Sequence, residues 1–204
     1  MKLPIPPLLV ISDRSQAHLP LRDVAAAVFT GGCRWFSLRE KDLPPAERRE
    51  LLAELVALGE RYGATVMAHG DLDSVIATGA GGVHLPGGSD PAAARALLPH
   101  GLIGASAHGG VEAKALLDAG ADYVTISPIF LTDSKPGYGP ALGLAGLAAA
   151  ARTAGGPVVA LAGINPANAR SCIEAGAAGI AVMGEVMRAG DPEATVRALI
   201  RAIG

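Results

Sequence analysis

A short unit recurs four times along the chain, and it constrains the fold more than any other feature. It reads "FTGGCRWFSLR" (29–39), "ATGAGGVHLP" (77–86), "LDAGADYVTIS" (117–127) and "IEAGAAGIAVM" (173–183). In each, a helical pattern closes on glycine, small residues follow, and an apolar run begins. Glycine suits the left-handed residue that ends a helix, and so short a link matches the helix-to-strand loops of α/β folds. Four further apolar runs lie between these units: "LLVIS" (8–12), "ATVMAH" (64–69), "LIGAS" (102–106) and "PVVALAG" (157–163). Eight near-continuous apolar strands alternating with amphipathic helices predict a parallel sheet covered on one face. The expected fold is therefore an α/β single (β/α)8 TIM barrel with a parallel eight-stranded sheet, spanning 1–204 as one domain. An open flavodoxin-like sheet needs fewer strands and ranks second.

Composition narrows the function classes. The 204 residues carry a net charge of −2 with both signs interspersed, so no basic face for nucleic acid or an anionic membrane is expected. Two cysteines, Cys33 and Cys172, form neither a C-x-x-C pair nor a disulfide framework. No apolar run approaches a membrane span, and a cytoplasmic protein is expected. A homo-oligomer, a dimer, is the expected assembly.

Active sites of such barrels sit at the C-terminal strand ends, and side chains alternate along a strand. With Phe36 and Leu38 facing the helices, Ser37, Arg39 and Lys41 turn toward the barrel axis. The same alternation points Met67, His69, His84, Ser106, Thr125 and Ser127 inward. The mouth is thus polar and cationic, which suits an anionic ligand better than internal pairing of Arg39 or Lys41 with Glu40 or Asp13. Glycines at the ends of strands seven and eight, Gly163 and Gly184, allow backbone amides to approach a phosphate. Asn165-Pro166 reads as an N-cap followed by a first-turn proline. The long stretch at 128–143, after the sixth strand, is the expected lid.

"ISDR" (11–14), "SLREK" (37–41), "GVHL" (82–85), "GASAH" (104–108), "ADYVTISPIF" (121–130), "AGINPANA" (162–169) and "GAAGIAVM" (176–183) together resemble the thiamine phosphate synthase superfamily over nearly the whole chain. That superfamily holds two chemistries. Its synthases join a pyrimidine diphosphate to a thiazole phosphate with Mg2+ help and release pyrophosphate. They carry a glutamine where this chain has Ser37, an Asn-Asp pair where it has His69-Gly70, and a second aspartate in the segment replaced by "LPGGS" (85–89). Two carboxylate ligands fall on Gly70 and Ser89, with Asp71 and Asp90 one residue away.

"HGDLD" (69–73), "LPGGS" and "TDSK" (132–135) instead resemble the TenI-like branch, the thiazole tautomerases, which aromatise a carboxythiazole phosphate tautomer without metal or cofactor. That resemblance implies proton transfer by His108, and histidine titrates near neutrality; the inward-pointing His69 is a second candidate, for catalysis or for binding the substrate carboxylate. Substrate contacts are expected from Ser37, Arg39, Lys41, Ser106, Thr132, Ser134 and Lys135. Gly163, Met183 and Gly184 are the expected phosphate contacts. The leading expectation is therefore a cofactor-independent isomerase acting on a phosphorylated thiazole, with no metal site. A Mg2+-dependent synthase is the enzyme alternative, and a catalytically silent phosphate-binding regulatory relative is the third reading.

Overall fold

The computed structural model describes residues 2–132 and 140–204. In chain order the elements are β1 (Leu8–Ile11), α1 (Leu21–Thr30), β2 (Trp35–Leu38), α2 (Pro45–Glu60), β3 (Thr65–His69), α3 (Leu72–Thr78), β4 (Gly82–Leu85), α4 (Pro91–Leu97) and β5 (Leu102–Ala107). They continue as α5 (Gly110–Asp118), β6 (Tyr123–Ile126), α6 (Gly143–Ala154), β7 (Val158–Leu161), α7 (Ala169–Glu174), β8 (Gly179–Val182), α8 (Gly184–Met187) and α9 (Pro192–Ile203). Each strand pairs in parallel with the next, and β8 pairs with β1, which closes a (β/α)8 barrel. No helix among the described residues is long and apolar enough to cross a membrane.

The recurrent glycine performs the turn expected of it. Gly32, Gly79, Gly120 and Gly176 take φ of 103°, 69°, 105° and 97°, a left-handed region costly for any residue with a Cβ. In the first unit the second glycine takes that conformation, because Gly31 stays right-handed at φ −65°.

Alternation along the strands divides the core into two layers. Phe36, Leu38, Val66, Val83, Ile103, Val124 and Ile180 pack outward against the helices. Leu9, Trp35, Met67, Leu102, Tyr123 and Val159 fill the barrel interior. There the Trp35 and Tyr123 rings meet edge-on with centroids 4.7 Å apart, an arrangement worth about 0.5–1.5 kcal/mol beyond the area it buries. Gly104 makes room for this plug, since a Cβ there would lie 2.1 Å from Tyr123 Cζ. The plug closes the barrel from below and leaves the C-terminal end open.

An ion pair outside the barrel ties a helix to its strands. Asp122 accepts from Arg95 Nη2 at 2.6 Å and from the Ile103 N–H at 2.8 Å. Burial pushes this carboxyl up, but the Ile103 amide and the Arg95 guanidinium hold it below the ordinary aspartate range. The unfolded chain binds the proton more readily, so the stabilisation is present above about pH 4 and is lost as pH falls through the lower folded value. Asp122→Asn is expected to cost about 1–3 kcal/mol in urea unfolding at pH 7. The gap to the wild type should narrow steadily in acid; a gap that is constant with pH would contradict the assignment.

Candidate active site

The open end holds a cavity of about 470 Å³. Arg39 and Lys41 line it just beyond β2, and His69 does so at the end of β3. His84, Ser106 and His108 contribute from β4, β5 and the residue after β5. Ser127 and Thr132 follow β6, while Gly163, Met183 and Gly184 close the wall beyond β7 and β8. One cavity thus gathers His69 and His108, four of the seven expected substrate contacts, and all three expected phosphate contacts. Ser134 and Lys135 lie outside the described residues.

Ser37 departs from its expected place. It points to the axis, but it pairs in register with Ile11 and Met67, a level below the mouth. There it is 1 % exposed and absent from the cavity wall, and its hydroxyl finds no hydrogen-bond partner. Asn165 departs too. The α-helix after β7 starts only at Ala169; ahead of it Asn165 Oδ1 accepts from the Ala167 N–H at 2.9 Å, and Asn168 returns an acceptor to the Asn165 N–H at 2.9 Å. The two asparagines tie a turn and leave Pro166 outside the helix.

Glu40 is not the partner of Arg39 or Lys41 that internal pairing would need. Its buried carboxylate accepts from Ser12 Oγ at 2.6 Å and from the Arg14 N–H at 3.1 and 3.2 Å, clamping the ends of β1 and β2 together. Burial pushes its carboxyl above the ordinary glutamate range. Ser12 Oγ also accepts from the Arg39 N–H at 2.8 Å, which fixes the backbone from which Arg39 projects. Neither this clamp nor Arg188, which lines the cavity from the end of α8 and packs over Gly184, was anticipated. A glutamate between two inward-pointing cations was the available signal for the first; nothing in the sequence marked the second.

His84 is buried on the cavity wall and held at both ring nitrogens. Its ring is 2 % exposed, with Nδ1 3.0 Å from Tyr123 Oη and Nε2 3.0 Å from Ser106 Oγ, and it stacks on His69 at 5.1 Å between centroids. Burial, with the nearby His69 adding to it, lowers its pKa to about 3. Between that value and the unfolded value near 6.5 only the unfolded chain takes the proton, so stability must fall as pH drops through this window. The wild type is expected to lose on the order of 3 kcal/mol more than His84→Gln between pH 6.5 and 4, at about 1.4 kcal/mol per pH unit. Denaturant melts across that range check it, and parallel slopes would contradict a buried neutral imidazole.

His108 is exposed at the rim, with Nδ1 3.4 Å from the Ser127 carbonyl and its N–H donating to Glu112 Oε2 at 2.8 Å. No cysteine competes as a nucleophile, because both are buried and desolvation pushes Cys33 up to about 12 and Cys172 to about 11. At the opposite wall the backbone is strained: Ala162 has φ 84° and Gly163 φ 67°. A non-glycine residue there costs about 1–3 kcal/mol and persists where the surroundings hold it. The Phe130 N–H donates to the Ala162 carbonyl at 3.1 Å and does so here.

A family model described as thiamine monophosphate synthase (TMP-TENI) matches residues 8–186. The chain belongs to that family. The thiamine-phosphate synthase of Roseiflexus sp. strain RS-1 is 40 % identical over 193 residues, covering 93 % of this chain and 82 % of its own. That of Methanoculleus marisnigri is 41 % identical over 201 residues, covering 94 % and 92 %. Among solved structures, the thiamine phosphate pyrophosphorylase from Pyrococcus furiosus superposes with a TM-score of 0.86 at 32 % identity, covering 96 % of this chain and 94 % of that one.

These relatives overturn the isomerase expectation. Near-full-length similarity runs with transferases of the thiamine monophosphate synthase family, and the thiazole tautomerase reading is corrected accordingly. That reading rested on Gly70 and Ser89, two positions in loops whose change leaves the barrel and its cavity intact. Assigning the proton-transfer role to His108 depended on it and falls with it.

The Mg2+ that the family resemblance implies does not fit the described residues. Asp71 is the N-cap of α3: its carboxylate accepts from the Ser74 N–H at 3.0 Å, Ser74 Oγ at 2.8 Å and Arg48 Nε at 2.8 Å. Asp90 caps α4 through the Ala92 N–H at 2.9 Å. Neither lines the cavity, and the described residues contain no cluster of three or more histidine, cysteine or acidic side chains able to hold a metal.

Proposed function

We propose that this protein joins a pyrimidine diphosphate to a thiazole phosphate and releases pyrophosphate. The observation that carries the reading is its 40–41 % identity, over more than nine-tenths of the chain, to thiamine-phosphate synthases. The chemistry asks for a site with two anion-binding ends. In the coupling, the thiazole nitrogen lone pair forms the new C–N bond to the pyrimidine methylene carbon. The C–O bond to the diphosphate breaks, and its electron pair leaves on pyrophosphate.

Arg39 and Lys41, with His69 beside them, are suited to the diphosphate, because cations aimed at a leaving oxygen stabilise charge as it develops. Gly163, Met183 and Gly184 are suited to the thiazole monophosphate through backbone amides, with Arg188 next to them. Ser106, His108 and Thr132 lie on the remaining wall, where they contact the substrates. Holding both reactants in one cavity turns a bimolecular encounter into an intramolecular displacement.

Complementation tests this in a cell. Expression in a bacterium lacking its own synthase is expected to restore growth without thiamine. Folded, abundant protein that does not restore growth would contradict the reading.

A further inference from the structure

We propose that the diphosphate end of this site works without a carboxylate-held divalent cation, its charge met by Arg39 and Lys41 with His69 as a hydrogen-bond donor. The inference rests on the transferase reading above and concerns how the same site handles its most highly charged ligand.

Mg2+ keeps near-octahedral oxygen coordination and is usually bound through one or two carboxylates together with phosphate. Among the described residues, the carboxylates near the cationic rim are already committed. Asp71 receives three hydrogen bonds and joins α2 to α3 through Arg48, so turning it into the cavity would uncap α3 and break that ion pair. The Arg48 and Ser74 donors offset its burial and hold its carboxyl below the ordinary range, the mark of a charge already compensated. Asp90 is spent on the cap of α4, and Glu40 is enclosed by Ser12 and Arg14. The one carboxylate on the wall among the described residues is Glu185, at the start of α8 beside Gly184 and so at the monophosphate end.

Among the described residues, what faces the cavity beyond β2 and β3 is cationic or imidazole. Arginine and lysine side chains attract a diphosphate. Arginine offers a diphosphate a planar fork of donors that does not deprotonate at working pH, and lysine adds a mobile point charge. Ser12 holds the Arg39 backbone N–H, so the fork is presented from a fixed point.

Calorimetric titration of the full chain with inorganic pyrophosphate, in excess EDTA and in excess MgCl2, tests the proposal. Binding is expected in both buffers, with affinities within a few-fold of each other. The double variant Arg39→Gln/Lys41→Gln, checked for an unchanged melting transition, should weaken it at least about ten-fold in both buffers, since two charge-assisted contacts are removed. Binding seen only with Mg2+, no binding in either buffer, or full affinity in the double variant would each overturn the proposal. Titration of the protein with Mn2+ alone, followed by EPR, is expected to show no tightly bound ion; a tight site would also overturn it. Metal-free pyrophosphate binding by a protein that does not couple the two substrates would overturn the transferase reading and leave this anion site standing.

Discussion

Replacing Arg39 by glutamine is expected to lower kcat/KM for the pyrimidine diphosphate by about 10²–10³-fold, the range seen when one preorganised charge-stabilising donor is removed. The effect should be this large because the contact strengthens as the C–O bond breaks and charge accumulates on the leaving oxygens. Stability should barely change. Arg39 lies at the rim, and its backbone N–H, which contacts Ser12 Oγ, is untouched by the substitution. Arg39→Lys should recover only part of the loss, because an ammonium cannot reproduce the bidentate fork. Steady-state kinetics with each substrate varied, together with a melting curve, separates these effects. An Arg39→Gln enzyme within a few-fold of wild type would remove Arg39 from the diphosphate site.

The second large effect is expected at the opposite wall. Gly163 has φ 67°, and a Cβ added there would lie 2.5 Å from the Leu131 carbonyl oxygen and 2.6 Å from Phe130 Cβ. Left-handed backbone costs an alanine about 1–2 kcal/mol, and overpacking adds about 1–3 kcal/mol. Gly163→Ala is therefore expected to lose about 2–5 kcal/mol of stability, the sum of those two costs. It should also push the segment after β6 away from the end of β7, where Ile129 and Phe130 now donate to the Leu161 and Ala162 carbonyls at 3.0 and 3.1 Å. If backbone amides here hold the monophosphate, KM for the thiazole phosphate should rise at least about ten-fold, the equivalent of 1.4 kcal/mol of lost binding. Weak turnover of the unphosphorylated thiazole alcohol should fall far less. Equal losses on both substrates would mean that the variant only damages the fold.

Much of this architecture is legible in the residues, because the forces that set it are local and periodic. Gly32, Gly79, Gly120 and Gly176 mark four helix ends, since few other residues tolerate their φ. Phe36 and Leu38 against Ser37 and Arg39 report the two faces of β2, because side chains alternate whatever the partners are. Depth along the axis is not periodic. Ser37 points inward as alternation requires, yet its level is set by the stagger between strands, which placed it beneath the mouth beside Ile11 and Met67. Non-local pairing is equally silent in the sequence: Glu40 meets Ser12 and Arg14 across 28 and 26 residues, and Arg188 meets Gln16 across 172. The choice of chemistry failed for a related reason. Gly70 and Ser89 are two loop positions, and they weighed more in that choice than the remainder of the chain, which aligns with synthases.

The coupling reaction itself is the most direct test. The purified protein would be mixed with the pyrimidine diphosphate and the thiazole phosphate and followed by ³¹P NMR. The diphosphate resonances should be replaced by free pyrophosphate in step with a new thiazolium phosphate ester, one for one, and only when both substrates are present. Slow hydrolysis of the diphosphate at an equal rate with and without the thiazole, or no change in either spectrum, would contradict the account.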